Sequence, residues 1–501
     1  MKRTWRAILA LTLVCAVALT AAAMALGSKA LPLTMTDACT IGDPAAAEGL
    51  HMAARIGMEQ NRLQWRMDYD PAADTTDASF RLAYSDRSGQ WIFDGYGYNI
   101  QCLLVDQEDD SDPICREVLR QARASGEETV DVTVHLADYW QDLPLSLSGA
   151  PWPGGEDFID VYGPWDIGDT VPFPALSIPV RASDDLTVAL ARNADGSYEI
   201  NGYDFTGISS AMYFTPFSLP LEGGTLTTLG IDPAAQPQPD WAPEGYGLWY
   251  VPVQTDDDGS STPVPSRRQL VYPLDITRQQ VVTLKQEELG GTVYLMTQEE
   301  GQLVLRLLEG GTYRLLQELS LGPAAEDSAS YDLTIRDGFA VVLWDDQLTV
   351  LSRTEEGYHL DYTCPTQTAY VTGYTVSFTD PEPEKQGDED AMPYTVAPNF
   401  AMAYQDGKLA VAAYIGNGMS YVLLLEVYGP EGLLYATARV PAWSGSLPPT
   451  MSAPCGCGRT RRPPSRRRIS PPPSRSSLGR NDEASPDLLC KNLKIAILRA
   501  K

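Results

Sequence analysis

Between residues 290 and 440, short apolar or alternating runs recur along the chain, and turns that contain Gly separate them. Alternation with a period of two is the pattern of strands with one buried face, and Gly-containing turns are typical of hairpins. Turns are expected at Gly310-Gly311, Asp337-Gly338 and Asp406-Gly407. The pattern predicts antiparallel strands at 292–297, 303–308, 312–321, 331–335, 339–344, 348–353, 358–363, 399–404, 408–415, 421–428 and 433–440.

These strands recur with a rough period. Gly291 and Gly338 are 47 residues apart, and Tyr313 and Tyr358 are 45 apart, whereas an acidic insert around 379–398 lengthens the next interval. A period near 45 with about four strands resembles the blades of a β-propeller. The alternative is a β-sandwich whose hairpins have similar lengths. We therefore expect a mainly β fold, with 286–451 as a propeller-like meander.

The segment 28–285 is less regular and is predicted to be a loop-rich β domain. Residues 141–273 contain 17 prolines, whereas 274–380 contain only two. Proline removes a ladder donor and is confined to loops, bulges and sheet edges. Short strands are predicted at 79–84, 91–105, 130–136, 186–192 and 197–202. One helix is predicted from Pro113 to Gly126, because Asp112 can cap it and Gly126 can end it.

The N-terminus has the features of a membrane-targeting segment. Lys2, Arg3 and Arg6 precede an uncharged apolar stretch, residues 7–26, which is long enough to cross a bilayer as a helix. Basic residues on its N-terminal side predict a cytoplasmic N-terminus and an extracytoplasmic bulk, that is, a single-pass membrane protein. The alternative for residues 1–27 is a signal peptide cleaved near Ala25, which would release a secreted protein.

Residues 452–501 differ sharply from the rest of the chain. They contain 12 Lys and Arg, 3 Asp and Glu, and no aromatic residue, although the whole chain has 45 aromatics. We predict a basic disordered tail that arises from a shifted reading frame, since GC-rich codons read out of frame give Arg, Pro and Ser. The alternative is a genuine tail that binds acidic partners or nucleic acid.

Charge restricts the partners of the protein. The chain has 37 basic and 66 acidic residues, a net charge of −29. Phosphate contact needs a surplus of Lys and Arg, so no nucleic-acid partner is expected. The sequence has three His and none of the common hydrolase, metalloprotease or nucleotide-binding motifs, so no catalytic or cofactor-binding residue is assigned.

Four cysteines lie outside the apolar stretch and the tail, namely Cys39, Cys102, Cys115 and Cys364. Cys102 and Cys115 flank an acidic loop between a predicted strand and the predicted helix. In an extracytoplasmic protein this arrangement predicts a Cys102–Cys115 disulfide. The alternative is that the cysteines are buried free thiols.

Three acidic runs are candidates for calcium binding. Carboxylates cluster at 106–112, 256–258 and 388–390. Calcium takes oxygen ligands, yet none of these runs has the spacing of a folded calcium loop. Solvated charge is the expectation, and no metal ligand is assigned.

An aromatic group is the main candidate for ligand contact. Trp241, Tyr246, Trp249 and Tyr250 lie close together in sequence. Exposed aromatics on loops are common platforms for glycans and protein partners, so these four are predicted to form a binding surface. Packing in the core is the alternative.

The anchor followed by β-rich sequence resembles uncharacterised bacterial secreted or membrane-anchored β-propeller-like surface proteins. The resemblance covers about residues 290–440 and is one of architecture. It implies a binding or interaction module at the bacterial cell surface, with a protein or a cell-surface glycan as partner, rather than an enzyme. The alternative from another class is a carboxylate-dependent glycan hydrolase or lyase.

Overall fold

A computed structural model describes most of the chain. The described residues are 14–15, 17–18, 33–58, 63–82, 93–102, 112–153, 171–207, 214–255, 261–287, 291–325, 331–344, 346–372, 375–379, 392–398, 400–416, 421–443 and 494–500. These residues are mainly β, as the hydrophobic pattern predicts. They form several small antiparallel sheets and, besides the helical residues 14–15 and 17–18, one α-helix of 13 residues.

The chain divides into two compact units. The first comprises residues 1–90, 367–396 and 400–501, and the second comprises 91–366 and 397–399. These bounds differ from the predicted domains, which placed a boundary at 285–286. The N-terminal strand pairs with a strand near residue 440, and the strands just after 285 share a core with those just before it.

The described strands of the first unit form three sheets. A five-stranded sheet has the order β1-β30-β29-β28-β27, and two smaller sheets have the orders β31-β2-β3-β4 and β25-β24-β26. Their strands are β1 (Leu33–Gly42), β2 (Leu50–Met58), β3 (Leu63–Asp70), β4 (Thr75–Leu82), β24 (Ala369–Thr372), β25 (Thr375–Ser377), β26 (Met392–Tyr394), β27 (Ala401–Gln405), β28 (Lys408–Gly416), β29 (Tyr421–Gly429), β30 (Gly432–Trp443) and β31 (Lys494–Ala500).

The second unit begins with two three-stranded sheets and a larger one, of orders β5-β7-β8, β10-β9-β6 and β11-β12-β13-β14, with β15 also pairing with β13. Their strands are β5 (Phe93–Cys102), β6 (Thr129–His135), β7 (Leu145–Pro153), β8 (Val171–Pro172), β9 (Asp185–Arg192), β10 (Tyr198–Thr206), β11 (Phe214–Leu221), β12 (Gly224–Ile231), β13 (Tyr246–Thr255), β14 (Ser261–Pro263) and β15 (Gln269–Leu274). Short 3-10 helices lie at Pro44–Ala47 in the first unit and at Leu136–Asp138, Pro233–Ala235, Pro239–Trp241 and Pro265–Arg267 in the second.

Two four-stranded meanders follow in the second unit, of orders β16-β17-β18-β19 and β20-β21-β22-β23. Their strands are β16 (Gln279–Gln286), β17 (Val293–Glu299), β18 (Gln302–Leu308), β19 (Leu315–Pro323), β20 (Tyr331–Arg336), β21 (Phe339–Trp344), β22 (Gln347–Thr354) and β23 (Gly357–Pro365). All eleven strands predicted between 290 and 440 are therefore present, with small shifts at their ends. The predicted strand 312–321 begins only at Leu315, because Tyr313 has a left-handed backbone with φ 54°.

The helix α1 (Pro113–Ser125) confirms the sequence signals at both of its ends. The Asp112 carboxylate accepts hydrogen bonds from the backbone N–H groups of Ile114 and Cys115 at 2.7 and 2.8 Å. Gly126 ends the helix in the left-handed region, at φ 70°. Its buried face, which includes Val118 and Ala122, joins the core of the second unit.

Central strands bury both of their faces. On β17, Val293 and Leu295 belong to one apolar cluster, whereas Tyr294 and Met296 belong to another, shared with the sheet β20–β23. On β29, alternate residues likewise divide between two clusters of the first unit. The meanders therefore lie between apolar layers on both sides, as a near-continuous hydrophobic strand requires.

The chain termini are described only in part. Residues 14–15 and 17–18 are helical, and the rest of the predicted anchor, 7–26, lies outside the described residues. Among the residues that are described, no helix has the length and apolar character needed to cross a bilayer. At the other end, Lys494–Ala500 forms β31 against β2. These seven residues thus differ from the predicted disordered tail, and 452–493 lies outside the described residues.

Candidate functional site

A polar cleft of about 280 Å³ opens beside the sheet β16–β19 in the second unit. Five side chains line it, those of Asp275, Arg278, Gln279, Glu299 and Glu300. Asp275 and Arg278 belong to the turn that joins β15 to β16, Gln279 is the first residue of β16, and the last two belong to the β17–β18 hairpin. Two short turns that meet at one end of the sheet therefore form the cleft.

Local hydrogen bonds shape the first turn. The Asp275 carboxylate accepts from the Thr277 backbone N–H at 2.9 Å and from the Thr277 hydroxyl at 2.7 Å. The Asp275 backbone N–H donates to the Gln279 side-chain carbonyl at 2.7 Å. Asp is favoured in such turns because its short side chain can satisfy the backbone two residues on.

The second turn places Glu300 at a hairpin tip. Glu300 and Gly301 both have positive φ, 48° and 77°. Two consecutive positive φ values are the mark of a type I′ turn, which matches the twist of a hairpin. Glu300 pairs across the cleft with Arg278, while Glu299 points back toward the sheet and pairs with Arg306.

Arg306 holds one of the lining residues, Glu299, through an ion pair. This arginine is buried, and its Nη1 also donates to the Thr297 hydroxyl at 2.7 Å. Its Nε donates to Glu318 Oε2 at 2.9 Å. Two carboxylates and a hydroxyl thus satisfy a buried guanidinium, as a charge away from water requires.

Electrostatics keep the cleft ionised. Hydrogen bonds from Thr277 lower the pKa of Asp275. Partial burial would raise the pKa of Glu299, but hydrogen bonds from Arg306, Thr297 and Gln279 outweigh it and leave the pKa below its ordinary value. Three carboxylates face one lining arginine, Arg278, so the lining carries two surplus negative charges. The cleft is suited to accepting hydrogen bonds from hydroxyl or ammonium groups.

The sequence did not single out any of these cleft residues. They are ordinary charged or amide side chains, and some 20 residues separate the two turns. The only local signals are the turn residues themselves, Asp275 and Glu300-Gly301. Pairing of β16 with β17 brings the two turns together, and that pairing is tertiary information.

The predicted aromatic surface is wrong for three of its four residues. Trp241, Tyr246 and Trp249 are buried in the core of the second unit, and Tyr250 is partly buried. The Tyr246 hydroxyl donates to the Leu229 carbonyl at 2.7 Å, and Trp249 meets Phe173 edge-on with ring centroids 6.2 Å apart. Large apolar area outweighs the small polar handle of these rings, so they pack inward.

An aromatic that the sequence argument overlooked is exposed instead. Tyr203 lies on β10, an edge strand, with 56% of its surface exposed. Its ring centroid is 5.4 Å from that of Phe205. Tyr198 and Phe205 lie close to Tyr203 in the sequence, but the exposure of Tyr203 depends on the position of β10 at a sheet edge, which the sequence does not show.

The cysteine prediction stays open. Cys102 ends β5, and Cys115 is buried in the first turn of α1, so the two flank one loop as expected. The Cys102 side chain lies outside the described residues, and the bridge stays a prediction that mass spectrometry of alkylated peptides can test. Cys39 and Cys364 are free thiols, and burial raises the pKa of Cys364 to about 11.

The acidic runs fall mostly outside the described residues, which include only Asp112 of the three clusters. Asp112 caps α1. Within the described ranges, no group of three or more His, Cys, Asp or Glu side chains is arranged to hold a metal. Calcium binding at 106–110, 256–258 or 388–390 therefore stays untested.

One histidine has a partner that the sequence did not indicate. His135 Nδ1 lies 2.6 Å from Asp185 Oδ1 across the β6–β9 pair, on an exposed face. The hydrogen bond to Asp185 raises the pKa of His135. The described contacts of this pair include no nucleophile, so they describe a surface ion pair.

Comparison with known proteins does not assign the chain to a family. No family model matches the chain, and no curated protein matches it. Solved structures that are similar include a putative 6-phosphogluconolactonase from Bacteroides uniformis, with 9% identity, a TM-score of 0.23, and coverage of 63% of this chain and 84% of that one. The β-propeller domain of Cps50 (Swd1) from Myceliophteria thermophila has 8% identity, a TM-score of 0.21, and coverage of 63% and 100%.

A third structure, the core factor of S. cerevisiae, has 8% identity and a TM-score of 0.20, with 83% of this chain and 62% of that one covered. Scores this low carry no argument about fold or activity.

Proposed function

We propose that this protein is an extracytoplasmic binding module, held at the bacterial membrane by residues 7–26 or secreted after cleavage near Ala25, whose partner is a protein or a cell-surface glycan. The first described strand starts at Leu33. Either fate of the N-terminal segment therefore leaves every described strand in place.

We further propose that the sheets are blades of a β-propeller. Two features favour this over a sandwich of two layers. Sheets β16–β19 and β27–β30 each bury both faces, whereas a sheet in a simple sandwich has one face toward solvent. The N-terminal strand β1 completes the sheet of the last long meander, which is how a ring of blades can be closed.

The ionised state of the cleft carboxylates is the observation that best supports a binding role. A glycan hydrolase needs one carboxylic acid that keeps its proton and a second carboxylate that has lost it. In the cleft, the pKa values of Asp275 and Glu299 are both lowered, so both are unprotonated at neutral pH. Arg278 and Arg306 already engage Glu300 and Glu299. This arrangement supports recognition of polar groups better than acid–base chemistry.

The test uses the purified full chain in detergent. We expect binding on an array of bacterial cell-surface glycans or to peptide probes, without release of p-nitrophenol from p-nitrophenyl glycosides. Glu300→Gln should weaken binding at the cleft, whereas Glu431→Gln, at an exposed glutamate in the turn between β29 and β30, should not. Turnover of a glycoside that Glu299→Gln abolishes would replace the binding module with the hydrolase alternative.

A further inference from the structure

Three exposed leucines lie on two neighbouring edge strands of the second unit. Leu315 and Leu316 on β19 are 40% and 49% exposed, and Leu360 on β23 is 41% exposed. Apart from Val14 and Val17, the described residues include only two other large apolar side chains that are exposed, Tyr203 and Met392. We call Leu315, Leu316 and Leu360 the leucine edge.

A side-chain clamp fixes the two strands to each other. The Gln317 amide nitrogen donates to the Tyr358 carbonyl at 2.7 Å, and the Tyr358 backbone N–H donates to the Gln317 amide oxygen at 2.9 Å. Tyr358 is itself buried against Tyr294, with ring centroids 6.0 Å apart. Leu315 lies two residues from Gln317, and Leu360 lies two residues from Tyr358. Chain geometry therefore confines the three leucine Cα atoms to a span of about 25 Å at most.

Such a span fits one protein interface. A standard interface covers about 800 Å² of each partner, which corresponds to a disc about 30 Å across. Neighbouring exposed apolar side chains are candidates for an interaction site, whereas single exposed ones need no explanation. Both β19 and β23 end their sheets, so among the described strands no further one forms a ladder with either of them, and the Gln317–Tyr358 clamp is the contact that joins the two.

The charges around the leucine edge indicate what kind of partner can bind there. The exposed glutamates Glu355 and Glu356 have no ion pair with any described residue. The nearby arginines are engaged, because Arg314 pairs with Glu309 and Arg353 pairs with Glu287. The surplus charge is therefore negative and favours a partner with Lys or Arg.

Two other occupants fit less well. A second copy of this chain would bring the same glutamates against themselves, and each copy has a net charge of −29. A glycan would need an exposed aromatic face, yet the described aromatics beside the leucine edge, Tyr313, Tyr358 and Tyr362, are buried.

We propose that the leucine edge is the docking surface for a partner protein, which presents aliphatic side chains interspersed with lysines or arginines. This inference rests on the proposed binding function and narrows its partner to a protein at this surface.

The experiment measures fluorescence anisotropy of three labelled heptapeptides, KLKLKLK, KSKSKSK and ELELELE, against the full chain at 150 mM salt. The variant is Leu316→Ser with Leu360→Ser. The matched control is Met392→Ser, since Met392 is 45% exposed and lies in the other unit. All three positions are exposed, so near-ultraviolet circular dichroism should not distinguish the variants.

We expect the wild-type chain and the Met392→Ser control to bind KLKLKLK at least tenfold more tightly than the other two peptides. The leucine variant should bind KLKLKLK no more tightly than KSKSKSK. Equal binding by the leucine variant and the control would overturn the inference, as would a failure of KLKLKLK to bind. Sedimentation that shows a leucine-dependent dimer would assign the surface to a second copy instead. In each of these cases, glycan-array binding that depends on Glu300 would leave the proposed function standing.

Discussion

Glu426 lies 1% exposed at the centre of β29, where the Tyr428 hydroxyl donates a hydrogen bond to its Oε2 at 2.8 Å. Tyr428 in turn accepts from the Gln367 backbone N–H at 2.9 Å. The other carboxyl oxygen, Oε1, has no hydrogen-bond partner in the described structure. The register partners of Glu426 are Val411 and Ala436, both apolar. A carboxyl group in such surroundings is more stable when it is protonated.

Burial raises the pKa of Glu426 from 4.5 to about 8, although the Tyr428 hydrogen bond acts in the opposite direction. Between these two values the folded protein keeps a proton that the unfolded chain has released. The contribution of Glu426 to the free energy of unfolding therefore falls as pH rises through that window, by about 1.4 kcal/mol per pH unit. It is constant below the unfolded pKa and above the folded one.

We expect Glu426→Gln to remove this slope. Urea unfolding of both proteins at pH 5, 6.5 and 8 measures it as the difference between wild type and variant. Tyr428→Phe should extend the slope to higher pH, because it removes the hydrogen bond that favours the carboxylate. Identical slopes in wild type and Glu426→Gln would show that Glu426 is not protonated in the folded state.

The second prediction concerns Arg439, a buried arginine of the first unit. Its Nη2 lies 3.1 Å from Asp74 Oδ1, and its guanidinium carbon lies 5.8 Å from the centre of the Tyr69 ring. Asp74→Asn would remove the main counter-charge of a buried guanidinium, which costs about 1–3 kcal/mol in the free energy of unfolding. Asn tolerates the left-handed backbone of Asp74, at φ 52°, so the substitution adds little strain.

Asp406 provides the matched control. It has the same φ of 52° at an exposed hairpin turn, and no ion pair of Asp406 occurs among the described residues. Asp406→Asn should change the free energy of unfolding by less than about 0.5 kcal/mol. Equal effects of the two substitutions in urea titrations would mean that the Asp74–Arg439 pair does not stabilise the fold.

The third prediction tests the Gln317–Tyr358 clamp. Gln317→Ala removes two partly buried hydrogen bonds and should lower the free energy of unfolding by about 1–2 kcal/mol. Gln317→Glu should cost more, because a carboxylate can accept from the Tyr358 N–H but repels the Tyr358 carbonyl oxygen. Gln302→Ala is the control, since its amide is exposed and, among the described residues, donates only to the adjacent Gly301 carbonyl at 3.3 Å. A cost no larger than that of the control would show that the clamp contributes nothing.

The fourth prediction concerns the first strand. Without residues 33–42, β30 would become an unpaired edge, and the apolar contacts of Cys39 and Ile41 would be lost. We expect the shortened chain to show faster amide exchange on β30, measured by mass spectrometry. A synthetic peptide of residues 33–42 added in trans should restore protection. The same peptide with Ile41→Asp should not, because it carries a charge into the apolar cluster.

Much of the fold was accessible from local pattern. The strands between 290 and 440 appeared where alternation and Gly-containing turns predicted them, and α1 appeared between Asp112 and Gly126. Strand periodicity and capping are properties of a few adjacent residues, so a single sequence carries them. The chain division was less accessible, because β1 pairs with β30 some 400 residues away.

The residues of the candidate site could not be predicted from local sequence pattern in this way. An aromatic cluster such as Trp241, Tyr246 and Trp249 reads alike whether it faces solvent or the core, and the structure places these three residues inside. The cleft depends on two turns that only strand pairing brings together.

The sequence by itself determined that this protein is mainly β, acidic and built from short antiparallel units. Strand period and turn residues are local features of the chain, and net charge follows from composition alone. Only the tertiary structure decided which faces those strands bury. It buried Glu426 among apolar residues, paired the buried Arg306 with Glu299 and left Leu316 and Leu360 exposed. The physical reason is that burial depends on the partner that a face meets, and alternation along one strand does not specify that partner.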